Sequence, residues 1–431
     1  MRSGALTLPG FTHDVCSAVH PMALASPFLR TLPLNQHGLE WIQPPLPLAH
    51  PLDDGSAAIL VRSLEETCQW LGPDAKAYEQ LMGPLVAKWG ALERDILGPM
   101  RVPRHPFAMA RFGLGAIRPS ESLAKSRFKT AQARALFAGL ASHSLMPLEA
   151  WGTSAIGLVL GAIAHVSGWP IPKGGSQAIA DALASYLRSL GGEIATGVWV
   201  RSQKELPAAK VVLYDVSPRS LLEIAGASFT ARYRRALEKF RYGPGVYKID
   251  WALRAPIPWR SPQCAKAGTL HLGGTMEEIV RSERGATADA PADRPFVLLA
   301  QPSLFDPTRA PGGCHTAWAY CHVPSGSQVD RTSRIEAQVE RFAPGFKELI
   351  LARSRKSPTQ MEEQNPNLVG GNISGGENSL RQLFVRPTWR LYNTPAKGVF
   401  LCSASTPPGG GVHGMCGYHA ARRALRFLRS S

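Results

Sequence analysis

Residues 399–428 read VFLCSASTPPGGGVHGMCGYHAARRALRFL and contain the features that decide the fold. The apolar run 399–404 predicts a buried strand, and the glycine-rich loop 405–417 follows it. A helix is predicted over 419–428, where alanines and leucines recur at helical spacing. A strand that leads through such a loop into a helix gathers unpaired backbone N–H groups at the positive end of the helix dipole. The stretch therefore predicts a site for phosphates or for the oxygen atoms of a flat ring.

The glycines of this loop match the dinucleotide-binding pattern GxGxxG at Gly409, Gly411 and Gly414. Only 17 residues follow Gly414, which is too few for the second strand and the acid that complete that fingerprint. A tight turn with positive φ would explain one or two glycines. The nine residues 409–417 hold five glycines. Close approach of a flat ligand is therefore the preferred interpretation.

A second informative stretch is 170–226. A helix with apolar residues on one face ends at Gly191, and strands are predicted over 193–200 and 211–216. A further helix follows Ser217. This order predicts part of an α/β nucleotide-binding domain. Asp215 and Ser217 could accept hydrogen bonds from a ribose or cap the following helix, and the sequence leaves both interpretations open.

The remaining segments mix helices and strands without strict alternation, which predicts an α+β lobe. Helices are predicted over 63–100, 122–142 and 331–355, and strands over 296–300 and 316–322. The charged, alanine-rich residues 284–294 predict a surface loop. The uncharged segment 150–171 is the one candidate for a membrane span, but its polar and glycine residues favour a buried core helix.

Composition excludes several classes of protein. The 431 residues are 44% hydrophobic and 19% charged, which excludes disordered and collagen-like chains. The net charge of +16 is spread along the sequence, so a nucleic-acid-binding protein is an alternative that rests on charge alone. Seven cysteines without a CxxC pair indicate reduced thiols in a cytoplasmic protein. No apolar secretory signal region follows the N-terminus.

Two other kinds of site find little support. His413, Cys416 and His419 are spaced three apart, but no fourth ligand completes a zinc set, so no metal is predicted. A serine hydrolase would need a GxSxG turn, which the sequence lacks.

Five segments together resemble the phytoene desaturase-like FAD-dependent oxidoreductases and, among them, the pyridine nucleotide-disulphide oxidoreductase domain-containing protein 2 group. They are PGFTHDVCSAVHPM (9–22), PKGGSQAIADALASYLRSLGGEI (172–194), VVLYDVSPRSLLEIAG (211–226), NPNLVGGNISGG (365–376) and LCSASTPPGGGVHGMCGYHAARRAL (401–425). The resemblance covers essentially the whole chain, and the last of these motifs is specific rather than a generic glycine loop.

The resemblance implies an α/β, two-lobed FAD/NAD(P)-binding fold of the amine-oxidase and glutathione-reductase-like type. One lobe would bind FAD, and an α+β lobe would cover the flavin and the substrate. The FAD-binding domain is expected to comprise 1–60, 165–228 and 385–431. The substrate or cap domain would comprise 61–164 and 229–384.

The resemblance also implies which residues contact FAD, the expected cofactor. The flavin and its pyrophosphate side would lie along the loop, and Val200 would meet the adenine through its backbone. Gly174 and Gly175 would begin the returning segment of the domain. No catalytic residue is assigned, because the cofactor carries the hard step, and His413 is noted as the titratable residue nearest the expected ring. The implied cofactor contacts are Gly174, Gly175, Val200, Ser405, Gly409, Gly410, Gly411, Val412, His413, Gly414 and Met415.

One departure from the family pattern stands out. Relatives have a first βαβ unit with GxGxxG, whereas Met1–Thr7 resembles the segment that follows that unit. We therefore expect an N-terminally truncated dinucleotide-binding domain with unpaired sheet edges.

The expected function is hydride transfer to FAD from an apolar small molecule, as in desaturases, dehydrogenases or isomerases. Nucleic acid is not an expected partner. Peripheral membrane contact suits an enzyme of apolar substrates, although no amphipathic anchor helix is evident in the sequence. The alternative is a non-catalytic truncated remnant that acts through protein association.

Overall fold

A computed structural model of the chain describes residues 1–288 and 292–430. Its strands follow in chain order. They are β1 Ser3–Gly4, β2 His13–Asp14, β3 Trp41–Ile42, β4 Leu46–Pro51, β5 Ala57–Leu60, β6 Ile171–Pro172, β7 Val212–Tyr214, β8 Gly245–Leu253, β9 Ala267–Leu272, β10 Val297–Ala300, β11 His315–Val323, β12 Ile350–Lys356 and β13 Val399–Leu401.

The α-helices of the described residues alternate along the chain with strands that form four sheets, one of seven strands and the pairs β1–β2, β3–β6 and β7–β13. The helices are α1 Pro21–Ala25, α2 Leu64–Leu71, α3 Ala75–Ala87, α4 Trp89–Ile96, α5 Pro106–Ala116, α6 Ser120–Arg127, α7 Ala131–Ser142, α8 Thr153–Val166, α9 Gln177–Ser189, α10 Pro218–Ala225, α11 Ala231–Glu238, α12 Met276–Ala286, α13 Thr332–Phe342, α14 Pro358–Gln364, α15 Leu380–Phe384 and α16 Met415–Ser430.

The largest sheet has its seven strands in the order β12-β8-β11-β10-β9-β4-β5. Neighbours are antiparallel except β4 and β9, which are parallel. One face of the sheet buries apolar residues such as Ile249 and Trp251 against α13. The opposite face packs on α7 and α8 at the β4–β5 end. Residues 46–60, which the sequence analysis assigned to the cofactor domain, lie in this sheet.

Of the three two-stranded sheets in the described part of the chain, β7 and β13 form the parallel one, in which Leu213 lies beside Phe400. Its core is formed with α10 and α11 by residues such as Leu221 and Leu401. The helix α16 follows β13 after the glycine-rich loop. The predicted strand, loop and helix are thus confirmed as elements, but the strand ends at Leu401 rather than at 404, and α16 begins at Met415, four residues before the predicted start.

Two predicted elements are wrong. Residues 193–200 are irregular and mostly exposed, although their sequence predicts a strand. A strand is stable only when a neighbour accepts its backbone hydrogen bonds, and within the described residues none pairs with this segment. The predicted helix 331–355 ends at Phe342, because Ala343-Pro344-Gly345 interrupts it and the chain continues as β12.

Two further predictions concern 284–294 and 150–171. Helix α12 extends to Ala286, so the loop predicted over 284–294 begins later than expected, and its residues 289–291 lie outside the described residues. The predicted core helix is confirmed as α8, which is buried along most of its length. Among the helices of the described residues, none combines the length and the hydropathy needed to cross a bilayer.

Candidate functional site

The glycine-rich loop between β13 and α16 has the backbone conformations that glycine allows. The φ angles are +111° at Gly409, +129° at Gly411 and +66° at Gly414. Gly411 and Gly414 are exposed, whereas Gly409 is buried. A Cβ atom at Gly411 would lie 2.6 Å from the Met22 sulfur. Only glycine therefore fits this turn, whose open side presents backbone at the N-terminus of α16.

His413 lies on the inner side of this loop. Its Nδ1 accepts the backbone N–H of Met415 at 3.0 Å, so Nε2 carries the proton and donates to the Gly409 carbonyl at 3.2 Å. Burial lowers the pKa of His413 to about 4, which keeps the ring neutral. The backbone carbonyl of His413 accepts a hydrogen bond from the Ser26 hydroxyl at 2.7 Å. His413 therefore fixes the start of α16.

Arg386 contacts the loop from its buried side. Its guanidinium is 2% exposed and donates to the carbonyls of Ser374 at 2.9 Å and Ala404 at 3.2 Å. It forms no salt bridge with a described residue, and burial lowers its pKa to about 10. A Cβ atom at Gly409 would lie 3.6 Å from this guanidinium. The Arg386 side chain thus connects the backbone at Ser374 to the backbone at Ala404, just before the loop.

Most of the other residues predicted to contact FAD lie in the glycine-rich loop, at the start of α16 and in the segment before β7. Ser405 is buried and donates to the Gly375 carbonyl at 2.8 Å. Gly410 and Val412 are half-buried in the loop, and Met415 is buried at the first turn of α16. Val200 is half-buried in the irregular segment 190–211.

Gly174 and Gly175 form a turn that is packed against other parts of the protein. The Gly174 N–H donates to the Asp306 carboxylate at 2.7 Å. A Cβ atom at Gly175 would overlap the Ser3 hydroxyl. Next along the chain, the Ser176 N–H donates to Asp14 at 2.7 Å. Gly175 therefore packs closely against the N-terminal segment, whereas Gly174 is exposed and bonded to Asp306.

Ser217 caps the N-terminus of helix α10 and does not point to a ligand-binding role. Its hydroxyl accepts the Ser220 N–H at 3.1 Å at the start of α10, and its own N–H donates to the Asn367 side chain at 2.7 Å. Of the two interpretations that the sequence left open, the capping of α10 is the one observed for Ser217. Asp215 is exposed at the end of β7.

Sequence reasoning missed a row of polar side chains on the large sheet. Strand register places Lys248, Tyr320, Leu298 and His271 opposite one another across β8, β11, β10 and β9, so all four point to one face. The adjacent row on that face contains Asp250, Trp318, Ala300 and Thr269. We call these eight residues the ionisable face. Lys248 and Asp250 alternate with apolar residues in GVYKIDWAL (245–253), and that alternation could have revealed the face.

Lys248 and Asp250 form a buried ion pair on this face. The Lys248 Nζ lies 2.6 Å from Asp250 Oδ1, and each side chain is 3% exposed. His13 Nδ1 lies 3.8 Å from the same oxygen. Burial, Lys248 and Arg309 lower the pKa of His13 to about 4, whereas burial raises the pKa of Asp250. A neutral imidazole thus lies beside a buried pair of opposite charges.

Several polar atoms of the same region are buried without a partner among the described residues. They are Thr269 Oγ1 and Trp318 Nε1 of the ionisable face, and Thr316 Oγ1 of β11. Because buried polar groups are normally hydrogen-bonded, such atoms indicate where a ligand or water binds. Trp318 and Tyr320 stack with their ring centres 5.5 Å apart. The face therefore combines flat apolar walls with unpaired polar groups.

One segment links the ionisable face to the glycine-rich loop. Residue His13 contacts Asp250 on the sheet. Further along the same segment, Met22 lies against Gly411 and Ser26 donates to the His413 carbonyl. The two parts of the candidate site are therefore joined through fourteen consecutive residues, 13–26.

These residues fit the ring end of FAD better than its nucleotide end. The open glycine backbone, the N-terminus of α16 and the unpaired polar atoms suit a flat ring that carries oxygen and nitrogen atoms. At the nucleotide end, the Gly174 N–H is already bonded to Asp306, and Val200 lies outside any strand. Among the described residues, the parallel sheet of this lobe has two strands.

Comparison with known proteins identifies the relatives of the chain. It is 27% identical to pyridine nucleotide-disulfide oxidoreductase domain-containing protein 2 of Rattus norvegicus over 508 aligned positions, covering 98% of this chain and 86% of that protein. It is 25% identical to the neurosporene-forming phytoene desaturase of Rhodobacter capsulatus, covering 57% of this chain and 51% of that enzyme. No family model matches the chain. Homologues of the chain thus include this oxidoreductase-domain protein and phytoene desaturases.

Solved structures show the same fold at low sequence identity. An oxidoreductase from Methanosarcina mazei matches with a TM-score of 0.62 and 14% identity, covering 96% of this chain and 89% of that one. A triple mutant of putrescine oxidase matches with a TM-score of 0.61 and 12% identity, covering 100% and 90%. The predicted fold class is confirmed, since the chain has the fold of FAD-dependent amine-oxidase-like enzymes.

Proposed function

We propose that the chain is the catalytic framework of an FAD-dependent oxidoreductase that removes hydride from a C–H bond of an apolar substrate. The observation that carries the proposal is the link between the glycine-rich loop and the ionisable face through residues 13–26. The loop supplies an open backbone at a helix N-terminus, and the face supplies buried charge beside aromatic walls. FAD, when bound, would supply the acceptor of two electrons.

The residues that would hold FAD are those at the open side of the loop. The exposed backbones of Gly411 and Gly414 can donate to ring oxygens without a side chain intervening, whereas the Met415 N–H is already bonded to His413. His413 and Arg386 would act indirectly, because both are buried and hold the loop in its conformation.

The ionisable face would serve the substrate side of the reaction. The stacked rings of Trp318 and Tyr320 offer a flat apolar surface, which suits a polyene or a lipid-like chain. In the buried pair, Asp250 supplies a carboxylate that can stabilise the positive charge developing on the carbon that loses hydride, and Lys248 helps to keep that carboxylate ionised. Neutral His13 can accept a proton that leaves a carbon next to the one that loses hydride.

The test is reduction of the FAD-loaded chain without oxygen. Purified protein mixed with FAD would be offered unsaturated lipids and polyenes in one set, and putrescine and other polar amines in another. The proposal expects the visible flavin absorbance to fall with a member of the apolar set. Reduction by the polar amines alone would contradict the assigned substrate class, and a Lys248→Met variant should reduce more slowly than the native chain.

The alternative is a non-catalytic role through protein association, and one observation favours it. Large apolar side chains are exposed in the segment that precedes β7, notably Val198 at 69%, Trp199 at 65% and Leu190 at 67%. Exposed apolar side chains in one segment can form the surface that contacts another polypeptide. Under this alternative the chain would bind no FAD by itself and would associate with another polypeptide through the segment 190–199.

A further inference from the structure

Helix α5 is apolar on two opposite faces, which a surface helix normally is not. Its inner residues Ala108, Met109 and Phe112 pack against the core formed with α8. Its outer residues Phe107 and Leu114 are 92% and 76% exposed. The spacing of seven residues places these two side chains on one line along the helix. Arg111 is the one charged residue of α5, so the outer face is mainly apolar where water would favour polar residues.

Neighbouring elements extend this exposed surface. The carbonyl of Ile117, just after α5, accepts the N–H of Gly152, so Trp151 lies beside it. Gly152 in turn packs against Leu380, the first residue of α15. We define the apolar platform by its exposed members on these three elements, which are Phe107, Leu114, Ile117, Trp151, Leu383 and Phe384.

The segment that contains α5 carries charge of one sign. Residues 98–118 contain four arginines and no Asp or Glu. Arg101 pairs with Asp95, and Arg118 bonds to the Ser122 and Ser126 hydroxyls. The side chains of Arg104, Arg111 and Arg381 form no salt bridge within the part of the chain that the structure describes, and all three residues are exposed. Unpaired cations therefore border the apolar side chains.

We propose that the apolar platform docks onto the surface of an anionic lipid bilayer. An exposed helix that mixes aromatic and aliphatic residues with arginines is the kind of element that lies in the membrane interface. Its apolar side chains enter the boundary of the acyl chains, while the arginines stay at the headgroups. The complementary charge favours acidic lipids. This inference rests on α5 and α15 and is independent of the proposed reaction.

The experiment is vesicle flotation of the full-length chain. Vesicles of phosphatidylcholine alone are compared with vesicles that also contain phosphatidylglycerol, each at low and high salt. The native chain should float with the acidic vesicles, and added salt should release part of it. The double variant Phe107→Ser/Leu114→Ser should bind at least about tenfold less tightly. The double variant Arg104→Gln/Arg111→Gln should lose the preference for acidic lipid.

The matched control is Val329→Ser/Leu351→Ser, which removes two exposed apolar side chains elsewhere and should float as the native chain does. Circular dichroism confirms that each variant is folded. Equal flotation of Phe107→Ser/Leu114→Ser and the native chain would overturn the proposal. Sedimentation velocity gives a second outcome that would overturn it. If the native chain is a dimer and this variant is a monomer, the platform is an interface between two copies.

Discussion

Lys248 Nζ lies 2.6 Å from Asp250 Oδ1, and both side chains are almost fully buried on one face of the large sheet. Removal of the lysine alone leaves an uncompensated carboxylate, so Lys248→Met should lower the free energy of unfolding by roughly 3–5 kcal/mol. The double variant Lys248→Met/Asp250→Leu should recover most of that loss. Urea denaturation of the four proteins of this cycle measures the coupling. Additive losses would show that the two charges do not interact.

His413 joins the loop to α16 through two hydrogen bonds, from the Met415 N–H and to the Gly409 carbonyl. His413→Ala should lower the free energy of unfolding by roughly 1–2 kcal/mol, as the loss of a helix cap does. In His413→Asn the side chain can still accept a hydrogen bond from the helix N–H, so this variant should lose less stability. The control is His105→Ala, because His105 is exposed. Equal stability of His413→Ala and the control in urea would contradict the capping role.

Arg386 donates to backbone carbonyls that have little access to water. Arg386→Met should therefore lower the free energy of unfolding by roughly 2–4 kcal/mol, because it leaves buried acceptors unpaired. Arg390→Met, at an exposed position four residues away, is the matched control and should change it by less than about 0.5 kcal/mol. If both variants melt at the same temperature, Arg386 does not hold the loop in place.

His50 and His271 are buried side by side, and the half-buried His143 lies against His271 with its Nε2 3.1 Å from His271 Nε2. Burial lowers the pKa of His50 to about 4 and that of His143 to about 3, and it holds the pKa of His271 well below its ordinary value. An unfolded histidine takes up a proton near pH 6.5. The unfolded chain therefore binds more protons below that pH, and the stability present above pH 6.5 declines as the pH falls toward 4.

This pH dependence is measured by melting the protein at steps between pH 7.5 and 5. His143→Gln keeps a hydrogen-bonding group beside His271 but does not titrate, so its melting temperature should fall less steeply over this range. His105→Gln changes an exposed histidine and should keep the native slope. An unchanged slope for His143→Gln would show that the three histidines do not govern acid stability.

The sequence predicts elements well where a local pattern is sufficient. The strand at 399–401, the loop and α16 follow from an apolar run, a glycine cluster and helical periodicity. The segment 193–200 has the composition of a strand, but strand formation depends on a partner that local sequence does not specify. Prediction of the ionisable face would have required the register of four strands, because that register brings Lys248 opposite Tyr320 and Leu298 opposite His271. Its charged pair was nevertheless visible as an alternation within 245–253.

The central claim is that the open glycine backbone before α16 receives FAD, and titration of the purified full-length chain with FAD tests it most directly. Flavin fluorescence and thermal melting are recorded for the native chain, Gly411→Ala and Gly345→Ala. Both glycines have positive φ, +129° and +90°, so both variants carry backbone strain, but only Gly411 lies in the loop, where the added Cβ also meets the Met22 sulfur. The account predicts saturable binding with a raised melting temperature for the native chain and Gly345→Ala, and weakened binding for Gly411→Ala. Absence of binding to the native chain, or equal binding by both variants, would contradict it.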